Sequence, residues 1–181
     1  QHGSGSTLCL IPIGTLAEQV QQLLPGLTVG QSANFGALTV KILPFLPQPD
    51  YDLLLSACDI NFVRGEDSII RAQWAGKPFI WQIYRQEEQA HLLKLRAFLQ
   101  RYTADWPEAL TDAIDNFHNA WNTDLSLTAA WQRLDAVLIE VHAKNLLWRN
   151  NLESLGDLAS NLVRFVEKKI IIYLDIFFIE W

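Results

Sequence analysis

The chain has 181 residues, of which 50% are hydrophobic, 19% charged and 11% aromatic; it suits one ordinary domain around a core and excludes a disordered, collagen-like or disulfide-built chain. A formal charge of −6, with basic residues scattered and Lys168-Lys169 the only adjacent pair, excludes a protein whose main business is binding nucleic acid or an anionic membrane surface. The two cysteines, Cys9 and Cys58, lie in apolar runs without metal-ligand spacing, so neither a disulfide framework nor a metal site is expected, and a reducing, cytoplasmic setting fits best.

Residues 1–6, small and polar, read as a linker outside the fold rather than as a signal peptide. Methionine is absent even from position 1, which reads as a piece of a longer protein. The apolar run at 8–11 stops at Pro12 and Gly14 and predicts a strand; Leu16, Val20, Leu23 and Leu24 then recur at helical spacing until Pro25-Gly26. A second strand is predicted at 38–43, closed by Pro44 and Pro47, with Pro49 suited to the first turn of a helix through Leu53, Leu54 and Leu55. Residues 60–63 predict a third strand, 64–67 a turn, 68–75 a short helix stopped by Gly76, and 78–83 a fourth strand. Strand and helix in alternation predict an α/β domain over 7–169, a Rossmann-like parallel sheet with helices on its faces.

Beyond Gln86 only helices are expected, on three apolar stripes: Leu92, Leu95, Leu99 and Tyr102; Trp131, Leu134, Leu138, Val141 and Trp148; and Leu152, Leu155, Ala159, Leu162 and Val166. The tail at 170–181 is too short to span a bilayer, and its β-branched and aromatic residues favour an extended conformation. Trp74 and Trp81 are read as core residues. His2, His91, His118 and His142 lie far apart without metal or triad spacing and receive no role, and the common nucleotide and hydrolase fingerprints are absent.

In an open parallel sheet, ligands bind where strands end and helices begin. The turn Arg64-Gly65-Glu66-Asp67-Ser68 offers a permanent cation, a glycine for close approach, two carboxylates and a serine at the expected N-cap. It reads either as a diphosphate and sugar cradle or as an ordinary capping box with acids matched to the helix dipole. The proline-stiffened loop at 44–51 carries Phe45, Gln48 and Tyr51, which suit stacking on a base and reading its edge, or else anchor the loop on the core.

The run from Cys58 to Ser68, continued by Arg71 to Tyr84 and flanked by residues 36–40, 43–48 and 86–88, closely resembles the elongation factor P arginine rhamnosyltransferase family, EarP, over most of residues 7–167. The resemblance implies the C-terminal, donor-binding half of an inverting GT-B glycosyltransferase, which moves L-rhamnose from dTDP-β-L-rhamnose to an arginine of translation elongation factor P. It implies that Phe45 stacks near the thymine with Gln48 and Tyr51 holding the nucleoside, that Arg64, Asp67, Ser68 and Tyr84 surround the diphosphate, and that Glu66 is the catalytic acid important for activity. No cofactor or metal is implied. The family's other domain, with its general-base aspartates and most of the surface for elongation factor P, has no counterpart in this sequence, so donor binding without transfer is expected of the chain alone.

Overall fold

The computed structural model describes residues 5–123 and 125–177; residues 1–4 of the expected linker and 178–181 of the expected tail lie outside them. The chain divides into two compact units, Gln1–Leu54 and Leu55–Trp181. The first holds strand β1 (Thr7–Pro12), helix α1 (Thr15–Leu23) and strands β2 (Ser32–Phe35) and β3 (Leu38–Leu43). β1 runs parallel to β3 with Cys9 opposite Val40 and Ile11 opposite Ile42. Side chains alternate along a strand, so these four share a face, where they pack with Ala17, Val20, Leu24 and Leu27. Burial raises the pKa of the Cys9 thiol, which favours its protonated form. β2 closes an antiparallel hairpin with β3 through Gly36-Ala37, and Gly36 takes the positive φ of 61° that so tight a loop requires.

Helix α2 (Gln48–Ala57) crosses from the first unit into the second, which continues with β4 (Asn61–Arg64), α3 (Gly65–Ala75), β5 (Phe79–Gln82), a 3₁₀ turn (Glu87–Gln89) and α4 (Ala90–Tyr102). Four more helices follow: α5 (Glu108–Asn122), α6 (Thr128–Asp135), α7 (Leu138–Ser154) and α8 (Leu158–Phe177). β4 and β5 pair in parallel, Val63 opposite Trp81. The class is α/β, but the single parallel sheet expected from the alternation is replaced by two small ones, a mixed three-stranded sheet ordered β1-β3-β2 and the pair β4-β5. Alternation predicts the type of each element, not which edge a strand joins.

At the outer edge of β5 a helix takes the place of a further strand. α5 buries Leu110, Ala113, Ile114, Phe117 and Ala120 on one face, with His118 and Asn122 buried among them. The Trp81 N–H donates to His118 Nε2 at 3.2 Å, the Ile83 N–H donates to Asn122 Oδ1 at 2.9 Å, and Asn122 Nδ2 donates to the Trp81 carbonyl at 2.8 Å. Two helical side chains thus satisfy the backbone groups that a further strand would have paired. Because Trp81 N–H is a donor, His118 Nε2 accepts and Nδ1 carries the proton, donating to the Ile114 carbonyl at 2.9 Å. Burial pushes the His118 pKa down to about 4, partly opposed by that carbonyl.

Among the three expected stripes, Leu95, Leu99 and Tyr102 of α4 are buried, as are Leu134 of α6 and Val141 of α7. Tyr102 lies among Phe79, Phe98, Trp106 and Trp148, and its hydroxyl donates to Asn145 Oδ1, a buried amide that accepts it. The third stripe is exposed at Leu155, Leu162 and Val166, so helical spacing there does not mark a buried face. Trp74, expected in the core, is 49% exposed on α3, whereas Trp81 is 3% exposed. The expected extended tail is also corrected, since 170–177 continue α8. Extending a helix already nucleated upstream is easy, and β-branched residues oppose it only weakly. No helix among the described residues is long and apolar enough to cross a membrane.

Candidate functional site

Strand β4 passes into α3 without a loop. Arg64 is still extended, with φ −126° and ψ 139°, and Gly65, at φ +78°, turns the chain directly into the helix. Gly65 is glycine for two reasons. Its φ is one that L side chains rarely adopt, and a Cβ there would lie 2.7 Å from Cε2 of Tyr84. The Tyr84 ring is thereby seated on the backbone at the start of α3, and the Arg64 guanidinium lies over the same ring, 5.0 Å from its centroid. From beneath, the buried Trp81 donates its indole N–H to the Gly65 carbonyl at 3.1 Å.

Ser68 is therefore not the N-cap. It falls inside the first turn of a helix that begins three residues earlier, and no side chain caps that helix. Both carboxylates lie in the first turn of α3, where acids match the helix dipole, and each also meets a cation. Glu66 Oε1 accepts from Lys94 Nζ of α4 at 2.8 Å, and Asp67 Oδ2 accepts from Arg71 Nε at 2.9 Å, one turn along α3. The hydrogen bond from Lys94 holds the Glu66 pKa below the usual carboxylate value. Lys94 also lies over the Trp81 ring, 5.7 Å from its centroid. Both acids beside Arg64 are thus matched by cations, while Arg64 has no carboxylate partner among the described side chains. Combined with the positive end of the α3 dipole, this leaves a corner that suits an anion.

Arg64, Glu66, Asp67, Ser68 and Tyr84 are therefore grouped at one end of β4 and β5, on the second unit. Phe45 lies in the loop after β3, and Gln48 and Tyr51 lie at the start of α2, all three in the first unit. Phe45 is 78% exposed and does not anchor that loop on a core, whereas Tyr51 is half-buried and its N–H is held by the Pro47 carbonyl at 3.0 Å. Lys94 was not predicted. It lies 28 positions from Glu66 on an exposed face of α4, and no local spacing links the two. Among the described residues no group of three or more His, Cys, Asp or Glu side chains is placed to hold a metal ion.

Residues 1–167 match the family described as Elongation-Factor P (EF-P) rhamnosyltransferase EarP. The chain belongs to the EarP family. Curated relatives named protein-arginine rhamnosyltransferase are 45% identical over 161 residues in Pseudomonas aeruginosa, covering 88% of this chain and 43% of the relative, and 41% identical over 167 residues in Shewanella oneidensis, covering 88% and 42%. A similar match in Pseudomonas putida is 42% identical over 158 residues and covers 86% of this chain and 42% of the relative. A solved structure described as the structural basis for EarP-mediated arginine glycosylation of translation elongation factor EF-P superposes with a TM-score of 0.80 at 36% identity, covering 92% of this chain and 54% of that one. The chain thus spans less than half the length of these curated relatives.

Proposed function

We propose that this chain is the donor-binding part of a protein-arginine rhamnosyltransferase that modifies translation elongation factor P, the C-terminal, Rossmann-like half of a GT-B enzyme. The observation that carries the reading is the corner at the start of α3, where Arg64 stacks on Tyr84, Tyr84 rests on Gly65, and both neighbouring carboxylates are already paired. The family match supports rhamnosyl transfer; dTDP-β-L-rhamnose is the donor that the resemblance implies, and the geometry is consistent with its diphosphate.

In this reading Arg64 and the backbone at the helix start receive the diphosphate, with Ser68, Asp67 and the Tyr84 hydroxyl completing its surroundings. On the first unit, the exposed face of Phe45 stacks on thymine while Gln48 and Tyr51 hold the nucleoside. In the transfer step an arginine nitrogen of elongation factor P bonds to the anomeric carbon as the bond from that carbon to the diphosphate oxygen breaks. The proton released by the guanidinium goes to a base outside this chain. Negative charge grows on the leaving diphosphate, where a fixed guanidinium and a helix start are well placed to stabilise it. Glu66, ionised, supplies the carboxylate beside the developing positive charge on the sugar. The reading calls on no cofactor, and a cytoplasmic location follows from the acceptor.

Amide-shift mapping on addition of dTDP tests the reading. Perturbations concentrated at 44–51, 64–68 and Tyr84 are expected, with no rhamnose transfer by the chain alone. No shift, or shifts confined elsewhere, would remove the donor assignment.

A further inference from the structure

We propose that Lys94 is a positioning residue of this corner: reaching from α4, it neutralises the Glu66 carboxylate in the first turn of α3 and so allows an organic diphosphate to dock beside it. The inference rests on the donor-binding reading above and deepens it. Around the start of α3, Arg64, Arg71 and Lys94 bring positive charge and Glu66 and Asp67 negative charge. Asp67 is matched within its own helix by Arg71, one turn on. Glu66 has no such local partner, and the cation that meets it at 2.8 Å comes from another element. Without Lys94 that match is lost, and the carboxylate nearest the helix start is left to repel an incoming dianion.

The lysine is also guided. Its ammonium lies over the face of Trp81, a buried ring that in turn holds the Gly65 carbonyl, so the surface carrying the helix start also carries the cation. Stability is a poor explanation for the pair. Lys94 and Glu66 side chains are 48% and 53% exposed, and exposed ion pairs contribute little to folding. Their effect on a dianion arriving a few ångströms away is direct, because the whole group lies within about one Debye length.

Calorimetric titration of the 181-residue chain with dTDP and with thymidine, which lacks phosphate, separates the possibilities. Lys94→Ala is expected to weaken dTDP binding about five- to tenfold, the order expected for one exposed charge facing a diphosphate. Thymidine binding and the melting temperature should hardly move. Adding Glu66→Gln to Lys94→Ala should restore dTDP affinity to within about twofold, because the repelling charge has gone with its partner. An independent reading comes from nuclear magnetic resonance, in which the Glu66 carboxyl should titrate at higher pH in Lys94→Ala. Unchanged dTDP affinity in Lys94→Ala, or a double variant as weak as the single one, overturns the inference and leaves the donor-binding reading standing. If the unsubstituted chain takes up no dTDP, both fall together.

Discussion

The two sheets end in different ways, and the difference separates what serves the fold from what is free to serve a ligand. In the first unit the sheet gains its outer strand cheaply, by a hairpin that adds the mostly exposed β2 to β3, and the loop leaving β3 presents Phe45 to solvent. In the second unit β5 is buried and its outer edge meets a helix, so its N–H and carbonyl groups need partners of their own, which His118 and Asn122 provide. An aromatic on the first unit's loop is spare; one beside the second unit's sheet, such as Trp81, is structural. That contrast predicts large stability effects at the β5 edge and almost none at Phe45.

The largest effect is expected at Asn122, which makes three hydrogen bonds from a buried side chain, to Ile83 N–H and to the Trp81 and His118 carbonyls. Asn122→Ala strands two buried backbone groups, the Trp81 carbonyl and the Ile83 N–H just past β5, at a cost of about 3–4 kcal/mol by the usual penalty for such groups. Urea unfolding measures it, and a loss below about 1 kcal/mol would mean that α5 does not stand in for a strand. The next effect is a pH dependence. In the fold, burial holds His118 neutral down to a pKa of about 4, against 6.5 when unfolded. The unfolded chain therefore binds more protons between these values, so stability is complete above about pH 6.5, falls as the pH drops towards 4, and is constant below it. The full span is about 3 kcal/mol. His118→Gln, which takes up no proton, should flatten this part of the profile; an unchanged slope would place the titration elsewhere.

How much of this was legible in the sequence depends on whether the signal was local. The strands β1, β3, β4 and β5 and the stop at Gly76 follow from runs of apolar residues and from punctuation by glycine and proline, both of which act within a few residues. α5 carries a stripe at 110, 113, 114, 117 and 120, yet it was not among the expected ones, because its face includes His118 and Asn122 and looks polar until the edge of β5 is known. β2 is short, and only its pairing with β3 makes it a strand. At the site, residues 64–68 stood out because cation, glycine, acids and serine adjoin. The helix start was misplaced by three residues, since Ser68 is the better capping residue and only the Tyr84 ring shows why Gly65 must turn the chain. Lys94 was invisible, its link to Glu66 being purely tertiary.

The smallest effect on folding is expected at Phe45, where the contrast between the units is sharpest. The side chain is 78% exposed, so truncation removes little buried surface, and Phe45→Ala should change unfolding free energy by less than about 0.5 kcal/mol. Stacking on a base is worth about 1–3 kcal/mol, so if this ring receives the thymine the same variant should weaken dTDP binding at least fivefold. Thymidine binding should weaken in proportion, because stacking does not depend on the phosphates. That pattern is the reverse of the one expected for Lys94→Ala, which spares thymidine. A Phe45→Ala chain that binds dTDP as well as the original would show that this exposed aromatic has another use, and would leave the diphosphate corner to account for nucleotide affinity without it.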